Sequence, residues 1–230
     1  MTDWFAGSVA ARYDESTSGM PVEPVVDFLE PLAGGGALEL AIGTGRIAVP
    51  LAARGVRVAG IDLSPDMVAQ LRQKTDEIPV AVGDMSSTRV DGTFSLVYII
   101  FNSINNVTTQ DGQVDVFANA AAHLAPGGSF VVEVGVQNRQ RLEVFDLSDT
   151  HVGVDELDFD TQRLVSHHFS LVEGEWRRAS VPFRSVSPAE LDLMARLAGM
   201  ELRERWADWN RSPFTAESAK HVSVWEKPGE

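Results

Sequence analysis

The chain has no cysteine. Disulfides, thiolate nucleophiles and zinc–sulfur centres are therefore excluded together. Positive charge is scarce: 19 lysines and arginines face 33 aspartates and glutamates, a formal net charge of −14 at pH 7. Such a surface repels phosphate backbones and anionic lipid, which argues against nucleic acid or a membrane as partner. The nearest thing to a basic stripe, Arg177, Arg178, Arg184, Arg196, Arg203, Arg205 and Arg211, is interrupted by acids and reads as a solvated face. No apolar run reaches the ~20 residues that span a bilayer. Met1 to Gly7 shows neither a basic n-region nor an apolar h-region, so a cytoplasmic location is expected. No histidines pair at metal-ligand spacing. The acidic run Asp155, Glu156, Asp158 and Asp160 lacks the glycine and closing glutamate of a calcium loop. It reads as a solvated loop, and no metal is expected.

What is present is an alternation. The chain is 230 residues long and 44% hydrophobic, enough for one sizeable core with an insertion. Short apolar runs (Ala37–Ile42, Val56–Ile61, Val80–Val82, Phe94–Phe101, Phe130–Val136) are separated by amphipathic stretches at Arg46–Ala53, Pro65–Lys74 and Gln113–Leu124. Runs rich in Val, Ile and Leu and bounded by Gly, Pro and Asp read as strands buried on both faces. Regular strand–helix–strand alternation implies right-handed crossovers and an α/β, doubly wound, mostly parallel sheet. Ser64-Pro65-Asp66 supplies a cap, a first-turn proline and a first-turn acid. Ala125-Pro126-Gly127-Gly128 stops the next-to-last helix.

After Gln137 the pattern becomes antiparallel. Arg163–Leu171 and Trp176–Arg184 flank a glycine-containing turn and read as a hairpin. Ser187-Pro188-Ala189-Glu190 opens a helix with Leu191, Met194, Ala195, Leu197 and Ala198 as its apolar stripe. Two late strands follow, near Met200–Arg205 and His221–Trp225. The division is one domain, 1–230, with an N-terminal segment 1–20 and an inserted antiparallel region 137–186.

The first strand runs into Glu39-Leu40-Ala41-Ile42-Gly43-Thr44-Gly45-Arg46. Glycines there let the backbone approach a ligand and turn sharply into a helix whose N–H groups face it. Gly43-x-Gly45-x-x-Ala48 with Asp62 also fits the relaxed dinucleotide fingerprint, so an NAD(P)-dependent oxidoreductase is a rival. Three features turn the balance: Glu39 inside the first strand, Asp84 in Gly83-Asp84-Met85 after the third, and Leu124-Ala125-Pro126-Gly127-Gly128 before the fifth.

With ELAIGTGR, GIDLSPDM, GDM and LAPGG in this order, the region Gly36 to Val136 resembles the class I S-adenosylmethionine-dependent methyltransferases. The resemblance implies a Rossmann-like seven-stranded sheet and S-adenosylmethionine as cofactor. It places backbone around Ala41, Gly43 and Gly45 at the methionine part and Asp62 on the ribose hydroxyls, in charge-assisted bonds. Leu63 and Met67 flank the adenine, while Asp84 and the Met85 amide meet its edge. Glu39 belongs to the same set. Phe101 and Asn102 lie beside the sulfonium. The segment 1–20 acts as a lid with Tyr13 reaching the site; packing of the helix on the sheet is the alternative for that ring.

The stretch Phe101-Asn102-Ser103-Ile104-Asn105-Asn106-Val107 is similar to that of amino-sugar N-methyltransferases of antibiotic biosynthesis, several of which carry histidine where this chain has Asn106. Asparagine is no base at neutral pH. Either alignment suffices, as an amine nucleophile permits, or a base comes from elsewhere. His151, His167, His168 and His221 are the other candidates, and adjacent His167 and His168 point to opposite faces of a strand. His123 reads as a structural cation at a helix end. Trp176, Phe169, Phe183, Trp206, Trp209, Arg211 and Phe214 would wall the acceptor pocket, or bury a sheet between subunits of a homodimer. The function implied is methyl transfer to an N or O nucleophile of a small molecule. A methyltransferase-like binding protein without turnover is the remaining alternative.

Overall fold

The computed structural model describes residues 3–136 and 140–229. The first residues of the 137–186 insertion and of the 1–20 segment lie partly outside these. Strands β1 (Ala37–Leu40), β2 (Val58–Asp62), β3 (Val80–Val82), β4 (Phe94–Ile99) and β5 (Leu124–Gly135) are joined by β10 (Glu201–Trp206) and β11 (Lys220–Glu226). They form one sheet in the order β10-β11-β5-β4-β1-β2-β3. The five leading strands pair in parallel; β11 runs antiparallel to β5 and to β10. This is the expected seven-stranded, Rossmann-like architecture.

Burial explains why β1 shows no alternation: all four of its residues are covered, one face by each helical layer. On one side Leu38, Leu40 and Val97 pack with Phe117 of α5 (Gln110–His123) and Leu191 of α6 (Pro188–Leu197). On the other, Ala37, Leu96 and Tyr98 pack with Phe28 of α2 (Glu23–Leu29) and Leu51 of α3 (Ala48–Ala53). The remaining helices are α1 (Ser8–Ser16) and α4 (Pro65–Arg72), the latter capped by Ser64 Oγ accepting from the Met67 N–H. Chain order reverses between β1 and β4, so their carboxyl ends open a crevice between diverging connections.

Several local readings change. The acidic run is not a loop throughout: Asp155 lies inside β7 (His151–Leu157), and with β6 (Leu142–Leu147) the insertion is four-stranded, ordered β6-β7-β8-β9. The hairpin read from sequence is its second half, β8 (Arg163–Val172) and β9 (Glu175–Arg184). Strand β6 escaped notice because Leu142, Val144 and Leu147 are exposed at a sheet edge, where no alternation is enforced. Leu197 is 75% exposed and is not part of the α6 core stripe. His123 is buried and neutral in character: burial lowers its pKa, Nδ1–H faces the Asn119 carbonyl, and Nε2 accepts from the Val90 N–H.

One buried side chain fastens the inserted sheet to the helices. Arg184, at the end of β9, donates to Glu190 Oε1 at 2.6 Å, to Gln162 Oε1 at 2.6 Å and to Gln113 Oε1 of α5. Burial pushes the Glu190 carboxyl up, but bonds from Arg184, Gln162 and Gln110 outweigh it and hold its pKa low. Arg184→Met would leave a shielded carboxylate without its cation. We expect a loss of about 3–5 kcal/mol in urea unfolding, and a loss below about 1 kcal/mol would show the pair to be dispensable.

Candidate active site

The crevice is bounded by strained backbone. Ala41 (φ 61°), Phe101 (φ 53°) and Asn102 (φ 61°) all adopt positive φ at the ends of β1 and β4, beside Gly43 (φ 57°) and Gly45 (φ 76°). Non-glycine residues persist there only where surrounding structure holds them, and such positions gather at functional sites. A Cβ at Gly43 would meet Met67 Cε at 3.2 Å, and one at Gly45 would sit 3.0 Å from both Val49 Cγ2 and Leu71 Cδ1. The loop is packed as closely as glycine permits.

Asp62 ends β2 at 7% exposure. Its Oδ2 accepts from the Gly43 N–H at 2.6 Å and its Oδ1 from the Ser64 N–H at 2.8 Å. Burial raises its pKa against the pull of these two amides. Each carboxylate oxygen keeps a further lone pair, so the group fits a diol. Glu39 is fully enclosed; its Oε2 accepts from the Tyr98 hydroxyl at 3.0 Å, and burial pushes its pKa up to about 8. Tyr98 is itself raised, first by burial and then by Glu39. Burial thus favours the protonated form of both groups. Asp84 caps its own turn, Oδ1 accepting from the Ser86 N–H at 2.9 Å and hydroxyl at 2.7 Å.

These groups share one cavity. Glu39, Ala41, Gly43, Asp62, Leu63, Met67, Asp84, Met85 and Phe101 line it, as do Tyr13 and Asn106. Gly45 lies behind the wall in the turn. Residues not anticipated include Asp3, Trp4, Phe5, Thr44, Arg46 and Ser103. Thr44 and Arg46 stood inside the glycine motif and were legible there; Phe5 gave no signal beyond its aromatic ring.

Segment 3–16 contributes Asp3, Trp4, Phe5 and Tyr13 to the lining. The Gly7 N–H donates to Asp66 Oδ2 at 2.7 Å, the Thr44 hydroxyl to Asp14 Oδ1 at 2.6 Å, and Lys74 pairs with Asp14. Phe5 packs edge-on against Tyr13, with centroids 6.4 Å apart, and burial raises the Tyr13 phenol.

A second cavity of about 520 Å³ adjoins the first. Phe5, Tyr13, Phe101, Ser103 and Asn106 border both. Its far wall is the inserted sheet, through Glu143, Phe145, Asp155, Ser166, His168 and Phe183. His168 faces it, while His167 turns away to Ser180 and Glu156. Asn102 lies on this cavity and not on the first, with Oδ1 accepting from the Gly135 N–H at 2.6 Å and so tying β4 to β5. Of the aromatic wall expected from sequence, only Phe183 is there. Trp209 is buried against Phe28, Arg211 stacks on the same ring, and Phe214 packs on His221. Trp176 is 53% exposed. Phe169 and Trp206 line neither cavity. His221 is buried with its pKa lowered by burial to about 4, a structural residue. Among the described residues no acid and histidine cluster suits a metal ion, and no helix is long and apolar enough to cross a membrane.

Comparison with known proteins gives a consistent picture. Residues 37–128 match a model described as a methyltransferase domain. The solved CcbJ methyltransferase of Streptomyces caelestis is 35% identical, covers 96% of each chain and superposes with a TM-score of 0.85. The putative methyltransferase YqeM of Bacillus subtilis is 34% identical over 54% of this chain and 53% of its own length. A dTDP-3-amino-3,4,6-trideoxy-α-D-glucopyranose N,N-dimethyltransferase of Streptomyces venezuelae is 29% identical over 66% of this chain and 62% of its own. The chain thus matches less than two thirds of the length of these two curated relatives.

The Glu39 environment has a thermodynamic consequence. Its folded pKa, about 8, lies above the ordinary 4.5, so the folded chain keeps a proton that the unfolded chain releases. Glu39 therefore favours folding fully below about pH 4.5, and that contribution is lost as pH rises to about 8. Glu39→Gln should remove this decline, so the stability difference between variant and wild type grows with pH across that window. Parallel curves in chemical unfolding would refute the buried neutral acid.

Proposed function

The chain belongs to the S-adenosylmethionine-dependent methyltransferases, and from that premise we propose that it methylates an amine nitrogen of a small molecule. One observation carries the choice of nucleophile. Asn105, Asn106 and Asp155 all line the second cavity, and each has a buried Oδ1 with no hydrogen-bond partner. An unmet buried acceptor costs about 1–3 kcal/mol. Three in one cavity call for a ligand rich in N–H or O–H donors, and an ammonium supplies three from one atom. The S. venezuelae relative acts on an amino sugar, which supports an acceptor of this kind.

In this reading the first cavity holds the cofactor. Ala41 and Gly43 present backbone to its methionine part, with Gly45 shaping the turn behind them, and Asp62, already held by two amides, accepts from the ribose hydroxyls. Leu63 and Met67 flank the adenine, with Asp84 and the Met85 amide at its edge. The bound cofactor supplies a methyl group on a sulfonium, an electrophile with its leaving group already activated. What the chain adds is alignment in a closed space, which can lower a barrier by about 7–11 kcal/mol. Phe101 and Tyr13 stand between the cavities, segment 1–20 serves as the lid, and Asn106, bordering both, holds the nucleophile. Asn102, which lines the second cavity, braces the β4–β5 junction through its bond from the Gly135 N–H. The exposed apolar side chains of β6 (Leu142, Val144 and Leu147) are the surface we assign to homodimerisation. The charge of −14 suits a small acceptor over nucleic acid.

Three outcomes check this reading. Incubation with labelled methyl donor and a panel of amino sugars, simple amines and matched alcohols should give N-methyl products; exclusive labelling of alcohols would reject the amine assignment. Asp62→Ala should weaken S-adenosylhomocysteine binding by about 10- to 100-fold in calorimetry, the worth of charge-assisted bonds. Unchanged affinity would remove the ribose role. Asn106→Ala should lower kcat/KM for the amine about tenfold while leaving cofactor affinity intact.

A further inference from the structure

The sheet face that closes the second cavity carries more than a binding wall needs. Asp155 and Ser166 are direct partners in the β7–β8 register, and Gly153 stands opposite His168. A Cβ at Gly153 would fall 2.3 Å from Phe145 Cζ, so the Phe145 ring lies across the glycine. That ring meets His168 edge-on, with centroids 5.5 Å apart, and fixes the imidazole. From there a line of polar atoms continues. Ser166 Oγ is 3.3 Å from His168 Nε2, His168 Nδ1 is 3.1 Å from His151 Nε2, and His151 Nδ1 is 2.6 Å from Asp146 Oδ2. Asp155, Ser166 and His168 line the cavity. The Asp146 side chain, at the other end, is 50% exposed.

We propose that this line is a proton exit: Asp155 takes a proton from the acceptor's nitrogen, and Ser166, His168, His151 and Asp146 pass it to solvent. The proposal rests on the amine reading above. In water an amine is mostly an ammonium, which has no lone pair to attack with. Loss of one proton to the Asp155 carboxylate frees that pair. The C–N bond then forms as the C–S bond breaks, its electrons remain on sulfur, and the methylated nitrogen carries the positive charge. One proton reaches solvent for each methyl transferred from an ammonium substrate.

The geometry suits conduction. A neutral imidazole accepts at one nitrogen and donates at the other. Burial, then the charge of His151, lowers the His168 pKa, which keeps the ring neutral; burial raises that of Asp155, which makes it a better proton acceptor. The titratable groups around His168 are His151 and Asp155 on β7, Asp146 and Glu143 on β6, His167 on its own strand and Tyr13 across the cavity. Strand β9 sets Ala179 and Val181 beside His168 and Ser166 and adds no charge there.

Two measurements test the exit. The first needs no acceptor: nitrogen-15 NMR of the histidines in the whole chain saturated with S-adenosylhomocysteine. Asp146→Asn should lower the pKa of His168, and a His168 titration indifferent to the change would overturn the connection. The second uses the dTDP-linked amino sugar of the S. venezuelae relative, or whichever amine the panel shows to be methylated. His168→Asn should slow kcat by about 100-fold at pH 6.5, the lower end of what a positioned proton acceptor contributes, and by less than about twofold at pH 9.5, where the amine sheds its proton unaided. Added imidazole should restore the rate at pH 6.5, with KM little changed. A defect equal at both pH values would refute the exit and leave N-methylation standing. If the wild type methylates no amine of the panel, the amine reading falls and the exit with it.

Discussion

The crevice is organised by one carboxylate. Asp62 closes β2 and receives the amides of Gly43 and Ser64, so a single side chain fixes the glycine turn after β1 and the start of α4. A buried acid is costly unless its lone pairs are engaged, and here backbone engages one on each oxygen while others face the cavity. The strained residues around it follow from the same constraint. Ala41 and Phe101 can hold positive φ because the strands before them are buried on both faces and leave no slack.

The central sheet was legible because parallel strands covered on both sides must be apolar from end to end, and because glycine, proline and aspartate mark where each stops. The acids of the crevice were legible for a related reason: an acid at the carboxyl end of a buried strand, such as Asp62, is costly to enclose unless its oxygens are engaged. The insertion was harder. Strand β6 lies at an edge with three exposed aliphatic side chains, and Asp155 sits in a run of acids that sequence alone assigns to solvent. Only the register that sets Asp155 against Ser166 brings it inside. The family resemblance set Asn102 beside the sulfonium and Asn106 where several relatives carry histidine. A left-handed backbone at Asn102 turns its side chain to Gly135 and leaves Asn106 at the boundary between cavities.

The two halves of the site follow different design rules. The first cavity is built of backbone and carboxylates held by the central sheet. The second is walled by an inserted sheet fastened through Arg184 and lined with Asn105, Asn106 and Asp155, whose Oδ1 atoms lack internal partners.

Phe5 and Tyr13 border both cavities, and they belong to one short segment fastened at Asp66, Thr44 and Lys74. Any displacement of this segment therefore redraws the boundary of both cavities at once.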